Sequence, residues 1–297
     1  MLFHYFQDVW LDFFQILGVK TITSPPTNKE IVKHGIALAI DEACFSSKIY
    51  LGHVAWLLDR CDVIFVPRFE NTAIREDYCP RIFGMYDVVK HTFPKAKLLN
   101  ADVNLLYRKR EQDAFVKIAQ QLGFTVEAAD EAYRKALEAA GKKHEEKLAK
   151  QQEIIESDGM KVLLVSHSYN LHDAYIGTGI AAYFEKNNIK VIYDDLVDTN
   201  KAKQKTKEIH GNRVYWKINS ELMGGLELYK DKVDGIVLIT TFPCGPDSIF
   251  NEMIIRKVKD KPILSLMVDE LDATAGLQTR LESFVDILTA KQQGGSR

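Results

Sequence analysis

The chain has 297 residues, room for two domains of ordinary size or one large one. At 46% hydrophobic and 27% charged it has the composition of a folded globular protein, and its formal net charge of −2 creates no overall field toward nucleic acid or an anionic membrane. Four cysteines are too few for a disulfide framework, no stretch reaches the ~20 apolar residues of a membrane span, and the opening Met1-Leu2-Phe3-His4-Tyr5-Phe6 has no charged leader and is soon broken by Asp8 and Asp12, so the sequence reads as cytoplasmic.

Phe6, Trp10, Phe13, Phe14 and Leu17 recur at helical spacing ahead of Gly18, which predicts a helix over 6–17. Val19 to Thr23 predicts a short strand, stopped by Pro25-Pro26. Thr27 with Glu30 three residues on predicts a capping box opening a helix that runs to about Ile40. A further helix is expected over 46–58, with Ile49, Tyr50, His53, Val54 and Leu57 on one face. A buried strand over 62–67 and a weaker one over 97–100 follow. From Tyr107 to Ser157 helix formers dominate. Glu131/Lys135, Glu138/Lys142 and Glu146/Lys150 are spaced i,i+4, each pair adding ~0.2–0.5 kcal/mol to an exposed helix. A solvated connection is the plain reading of this stretch and a partner-docking helix the sharper one. Strands are then expected at 161–165, 190–193, 235–240 and 262–268 with helices between them. An amphipathic helix over 277–288 follows, and the Gly-Gly-Ser-Arg tail is expected to be disordered. The alternation predicts an α/β protein: two Rossmann-like or flavodoxin-like parallel-sheet domains, 1–106 and 159–293, joined by a helical segment over 107–158.

Three of the cysteines share one kind of place. Cys44 immediately precedes a predicted helix, Cys79 is followed by Pro80, and Cys244 ends a strand and opens Gly245-Pro246-Asp247-Ser248. A thiolate at a helix start is stabilised by free backbone N–H groups and the positive helix end. In a parallel sheet such junctions lie on the carboxyl edge, where ligands bind. Three thiolates without a fourth suit an iron–sulfur cube with one open iron, whereas structural zinc wants a fourth ligand and closely paired cysteines. His53, His167 and His172 are candidate fourth ligands, each equally readable as an ordinary core or surface histidine. Cys61, just before a buried strand, reads as a small hydrophobe. Three scattered cysteines are also readable as buried thiols with no metal.

The ordered set Ser24-Pro25-Pro26-Thr27-Asn28-Lys29-Glu30, Asp41-Glu42-Ala43-Cys44, Ile64-Phe65-Val66-Pro67-Arg68, Tyr78-Cys79-Pro80, Ser166-His167-Ser168-Tyr169-Asn170, Phe242-Pro243-Cys244-Gly245-Pro246-Asp247-Ser248 and Thr279-Arg280-Leu281-Glu282-Ser283-Phe284-Val285-Asp286 spans nearly the whole chain. On these motifs the chain resembles the stand-alone proteins related to acyl-CoA dehydratase activases, themselves similar to 2-hydroxyacyl-CoA dehydratase and benzoyl-CoA reductase subunits. The resemblance implies two α/β domains and a [4Fe–4S] cluster on Cys44, Cys79 and Cys244. It also implies an electron donor, an ATP-dependent activase of the ASKHA type or another donor, that delivers an electron at very low potential. Two departures stand out: an additional first strand ending in a Pro-Arg pair is absent, and no histidine follows Asp269-Glu270.

Asp247 and Ser248, at a helix start, read either as shaping a cluster or anion pocket or as helix caps. Arg68 and Arg280 read either as holding a CoA phosphate or a substrate carboxylate, or as ion-paired scaffold. Gly177-Thr178-Gly179 is too short for a nucleotide loop and there is no P-loop, so ATP hydrolysis is not expected of this chain. The expected function is an iron–sulfur redox or dehydratase-like component working with a separate activase, with an acyl-CoA or other small molecule as ligand and no nucleic-acid or membrane partner. A non-catalytic, cluster-carrying regulatory module and a metal-free small-molecule binder are the alternatives.

Overall fold

The structure, a computed structural model, describes residues 1–74, 76–211, 214–270 and 274–294. The chain divides into two compact units, one of 1–147 with 215–217 and one of 148–214 with 218–297.

The first unit begins with three helices, α1 (Phe3–Ile16), α2 (Lys29–Leu38) and α3 (Phe45–Leu57). It continues through β1 (Ile64–Phe65), β2 (Arg68–Asn71), α4 (Pro80–Phe83), α5 (Met85–Thr92), β3 (Leu98–Leu99), β4 (Asp102–Asn104), α6 (Glu111–Gln121) and α7 (Val126–Glu156), the last of which crosses the boundary between units. The strands form two parallel pairs, β1 with β3 and β2 with β4. Ile64 faces Leu98 and Arg68 faces Asp102, so the register is the same in both. Val66 N–H donates to Leu99 O and Arg68 N–H to Ala101 O, both at 2.8 Å, which carries the ladder across the gap.

A two-stranded ribbon cannot bury a core by itself. Here aromatic rings supply it. Phe6 and Trp10 of α1 pack on Phe69 of β2, Trp10 and Phe14 on Phe65 of β1, and Phe13 on Phe115 of α6, which stacks on Tyr133 of α7. The helical spacing of those α1 rings is thus the spacing of one core face. Helices α2 and α3 approach so closely that a Cβ on Gly35 would lie 1.9 Å from Lys48 O and one on Gly52 2.0 Å from Ile31 O.

Two sequence expectations fail in this unit. Residues 19–23 form no strand: Lys20 to Thr23 are exposed, and among the described residues no strand pairs with them. The cap of α2 is Asn28 rather than Thr27, its Oδ1 accepting from Glu30 N–H (3.0 Å) and Ile31 N–H (3.1 Å). The Thr27 hydroxyl is engaged instead by His53 Nε2 at 2.9 Å. Strand β2 and its partner β4 were not anticipated.

The second unit contains β5 (Lys161–Val165), α8 (Ser168–Leu171), α9 (Thr178–Lys186), β6 (Lys190–Tyr193), α10 (Thr199–His210), α11 (Lys217–Tyr229), β7 (Gly235–Thr241), α12 (Gly245–Lys257), β8 (Ile263–Val268) and α13 (Thr274–Gly294). Lys217, the first residue of α11, belongs to the first unit. The four strands pair in parallel in the order β6-β5-β7-β8. Every residue of β5 and β7 is buried, as expected of inner strands covered on both faces. All four expected strands are present with ends within a residue of those read from the sequence. The protein is therefore α/β. Residues 271–273, which include part of the stretch after Asp269-Glu270, and the tail from 295 lie outside the described residues.

From β5 the chain crosses to β6 on one side, then returns past β5 to β7 on the other. The carboxyl ends of β5 and β7 consequently flank the point where strand order reverses, the usual ligand crevice of an open parallel sheet. Among the described residues no helix is long and apolar enough to cross a membrane.

Candidate functional site

The segments leaving β5 and β7 carry the densest buried polar network of the second unit. After β5 come Ser166, His167 and Ser168. After β7 come Phe242, the cis-linked Pro243, and Cys244 at the N-cap of α12. Asp247, in the first turn of α12, is 4% exposed and serves as the hub. Its Oδ1 lies 2.8 Å from His167 Nε2 and accepts from Asn219 Nδ2 at 3.0 Å, and the Cys244 thiol also bonds to its carboxyl. Burial pushes this carboxyl up. The opposing effects of His167, Asn219 and Cys244 prevail and hold it below the ordinary carboxylate range.

An ionised Asp247 can only accept, so His167 Nε2 carries a proton and donates. The ring's other nitrogen is Nδ1. That atom is buried and has no hydrogen-bond partner among the described residues, an arrangement that ordinarily costs ~1–3 kcal/mol. Tyr169 stacks on the ring, 4.8 Å between centroids and 7° from parallel, fixing its plane. Asn170 Nδ2 donates to Ser166 Oγ at 3.0 Å, and Ser248 Oγ donates to Cys244 O at 2.7 Å. Ser248 is thus an exposed back-bonded helix residue, while Asp247 binds side chains from two other segments. Asn219, in α11, was missed by sequence reasoning: nothing in the sequence around it points to a residue 28 positions away.

In the first unit, Cys44 is the N-cap of α3 and Cys79 the N-cap of α4, with Pro80 at the first helical position. Cys44 Sγ lies 2.7 Å from Ser47 Oγ. Arg81 Nη2 donates to Glu42 O at 3.4 Å, which ties the helix after Cys79 to the loop before Cys44. Cys61 Sγ instead donates to Leu57 O at 3.3 Å, and burial pushes its thiol pKa up, the behaviour of a structural cysteine. None of the four cysteines forms a disulfide.

The other histidines are differently committed. His53 Nδ1 meets Ser24 Oγ at 2.8 Å and its Nε2 meets Thr27 Oγ1 at 2.9 Å, so both ring nitrogens clamp the 24–27 loop, and burial pushes its pKa down to about 4. His172 Nε2 lies 2.8 Å from Asp195 Oδ2 with the imidazole side chain 41% exposed. Arg68 pairs with Asp87 at 3.1 Å and Arg280 donates to Ser265 O. Among the described residues no group of three or more His, Cys, Asp and Glu side chains is arranged to hold a metal ion.

No curated protein matches the chain. The family described as CoA enzyme activase uncharacterised domain does, over residues 1–197. The matched span takes in Cys44, Cys79 and His167 and ends before Cys244 and Asp247. On that match, and in agreement with its resemblance to acyl-CoA dehydratase activase-related proteins, the chain belongs to the CoA enzyme activase uncharacterised domain family.

Proposed function

We propose that this chain is a low-potential redox or dehydratase-like component that carries a [4Fe–4S] cluster on Cys44, Cys79 and Cys244 and receives its electron from a separate ATP-dependent activase. The observation that carries the reading is the common setting of the three thiols: each is the N-cap of a helix. At such positions unsatisfied N–H groups and the helix dipole favour the thiolate that iron requires. The donor type supports the reading: none of the three cysteines is in a disulfide, and three thiolates suit a cube with one further iron to ligate. Membership in a CoA-enzyme-activase family supports the partner and makes an acyl-CoA thioester the natural ligand class. A reducing cytoplasm suits four cysteines without a disulfide. When bound, the cluster supplies either one-electron transfer or a Lewis-acidic iron for a substrate oxygen.

The test is iron and acid-labile sulfide content after strictly anaerobic purification. About four irons per chain are expected. They should be lost in Cys44→Ser, Cys79→Ser or Cys244→Ser and kept in Cys61→Ser. An iron-free chain after anaerobic reconstitution would leave a metal-free binding or regulatory module in its place.

A further inference from the structure

We propose that Asp194 is a buried proton-binding site that latches α11 onto the carboxyl end of β6, closed while its carboxyl is neutral and released when it ionises. The device lies within the second unit and draws on none of the three cysteines. Asp194, the residue after β6, is 0% exposed, and among the described residues neither of its side-chain oxygens has a hydrogen-bond partner. A carboxylate in such a place lacks both water and donors, so the neutral acid is the form the fold accepts. Burial first, and then the charge of Asp195, act in that same direction.

The carboxyl rests on α11. Gly224 and Gly225, both buried, form the contact: a Cβ on Gly225 would collide with Asp194 Oδ1, and one on Gly224 with Ala202 O of α10. The strand side is fixed. Asp194 N–H donates to Leu164 O at 3.0 Å, continuing the ladder between β5 and β6. Gln151 of α7 accepts from Tyr193 N–H at 2.9 Å and donates to Tyr193 O and Leu196 O at 3.0 and 2.8 Å. Water that hydrates an ionised Asp194 therefore enters by displacing α11, where two glycines leave no side chain to bridge the gap. The charged and titratable groups around the contact do not offset ionisation. Asp195 bears on Asp194 directly and holds His172 on its own Oδ2 at 2.8 Å. Tyr193 of β6 and Tyr229 of α11 are both kept neutral by burial, and the Tyr229 hydroxyl donates to Leu196 O. Lys201 and Lys203 of α10 pair with Asp198 and Glu221, each at 3.6 Å. Each opening releases one proton from Asp194 to solvent, and closure takes one back. Since α11 also carries Asn219, which donates to Asp247, release of the helix withdraws a donor from the buried network at the carboxyl edge of the sheet.

The test uses the full chain. With 13C-carboxyl-labelled aspartate, the resonance lost in Asp194→Asn is expected to be that of a protonated acid at pH 5, where a carboxyl with the ordinary value of 3.8 has ionised. Hydrogen–deuterium exchange then reads the latch. After correction for the intrinsic pH dependence of amide exchange, the open fraction of α11 should exceed that of β5 and β7 several-fold. As pH rises from 5 toward the folded-state value, that fraction should climb by up to about tenfold per unit, the limit for one proton bound in the closed state and lost in the open one. Asp194→Asn, neutral at every pH, should abolish the slope, and Gly225→Ala should raise α11 exchange at every pH. An Asp194 carboxyl that titrates near 3.8 overturns the proton site. An α11 that exchanges only in step with β5 and β7, or whose open fraction does not change with pH, overturns the latch. If Asp194→Asn fails to fold, the comparison of α11 with β5 and β7 across pH in the wild type decides the matter.

Discussion

The two units reach a buried core by different routes. The second is built on hydrogen-bonded backbone: four parallel strands, with every residue of β5 and β7 buried between helices. The first has, among the described residues, only two short parallel pairs, β1 with β3 and β2 with β4, and obtains its core from stacked and edge-on rings carried by α1, α6 and α7. In the second unit, aliphatic side chains fill a space whose shape the sheet has already set. In the first, the side chains themselves define the shape, so stability should be concentrated in a few large residues.

The greatest effect is therefore expected at Phe13. It is fully buried, with ring contacts to Phe14, Phe115 and Tyr133 drawn from three helices. Phe13→Ala should cost ~3–5 kcal/mol, the upper range for core truncations, because rigid rings collapse poorly into the cavity left behind. Denaturant unfolding would measure it. A cost under ~1 kcal/mol would mean that the ring cluster is not what holds the first unit together.

This contrast also explains what could be read in advance. Unbroken apolar runs such as Val162-Leu163-Leu164-Val165 and Ile236-Val237-Leu238-Ile239 announce inner strands whatever surrounds them, and the strands of the second unit were found where expected. Strand β2 carries Arg68, Glu70 and a buried Asn71 around one buried apolar residue, Phe69, a pattern that becomes a strand only because β4 lies beside it. Val19 to Thr23 is the reverse case: good strand residues with no partner, hence no strand. The site divides in the same way. Helix starts at Cys44, Cys79 and Cys244 follow from local signals, such as the proline at 80 and 246. The buried network of His167, Asp247 and Asn219, by contrast, joins distant positions that only the folded chain brings together.

The pH dependence of stability should differ in sign between His53 of the first unit and Asp194 of the second. In the first, burial lowers the His53 pKa from 6.5 to about 4. The unfolded chain then binds a proton more readily than the folded one. Stability from this group is complete above pH ~6.5 and lost as pH falls through 4, by about 2–3 kcal/mol in all. Glu111 works against it over part of that range, because burial raises its pKa from 4.5 to about 6, so its contribution is present below 4.5 and lost as pH rises through 6. In the second unit Asp194 is completely buried at the end of β6, both carboxylate oxygens without partners, and burial followed by the nearby Asp195 charge raises its pKa well above 3.8. Its contribution is present below 3.8 and lost as pH rises toward the folded value. His53→Gln should flatten the acid limb of stability, and Asp194→Asn should gain on the wild type between pH 4 and pH 8. Urea titrations of the three proteins at pH 4, 6 and 8 check both. A difference between each variant and wild type that does not change with pH would show that neither group is titrating differently in the folded state.

The smallest effect is expected where the first unit looks most heavily bonded by charge. Lys143 and Lys147 of α7 pair with Asp12 and Asp8 of α1, at 2.8 and 2.7 Å. Both lysines are about half exposed, so water and salt screen the attraction, and ordering two long side chains offsets much of what remains. A double-mutant cycle of Lys143→Ala and Asp12→Ala should return a coupling of ~0.2–1 kcal/mol that shrinks further in 1 M salt. Since the same two helices are joined through Phe13 and Tyr133 at the core side, truncating the ring should outweigh breaking the ion pair several-fold. If the coupling instead rivalled the loss in Phe13→Ala, the first unit would be held by its charged seam, and the proposed difference between a ring-built and a sheet-built core would fail at its first member.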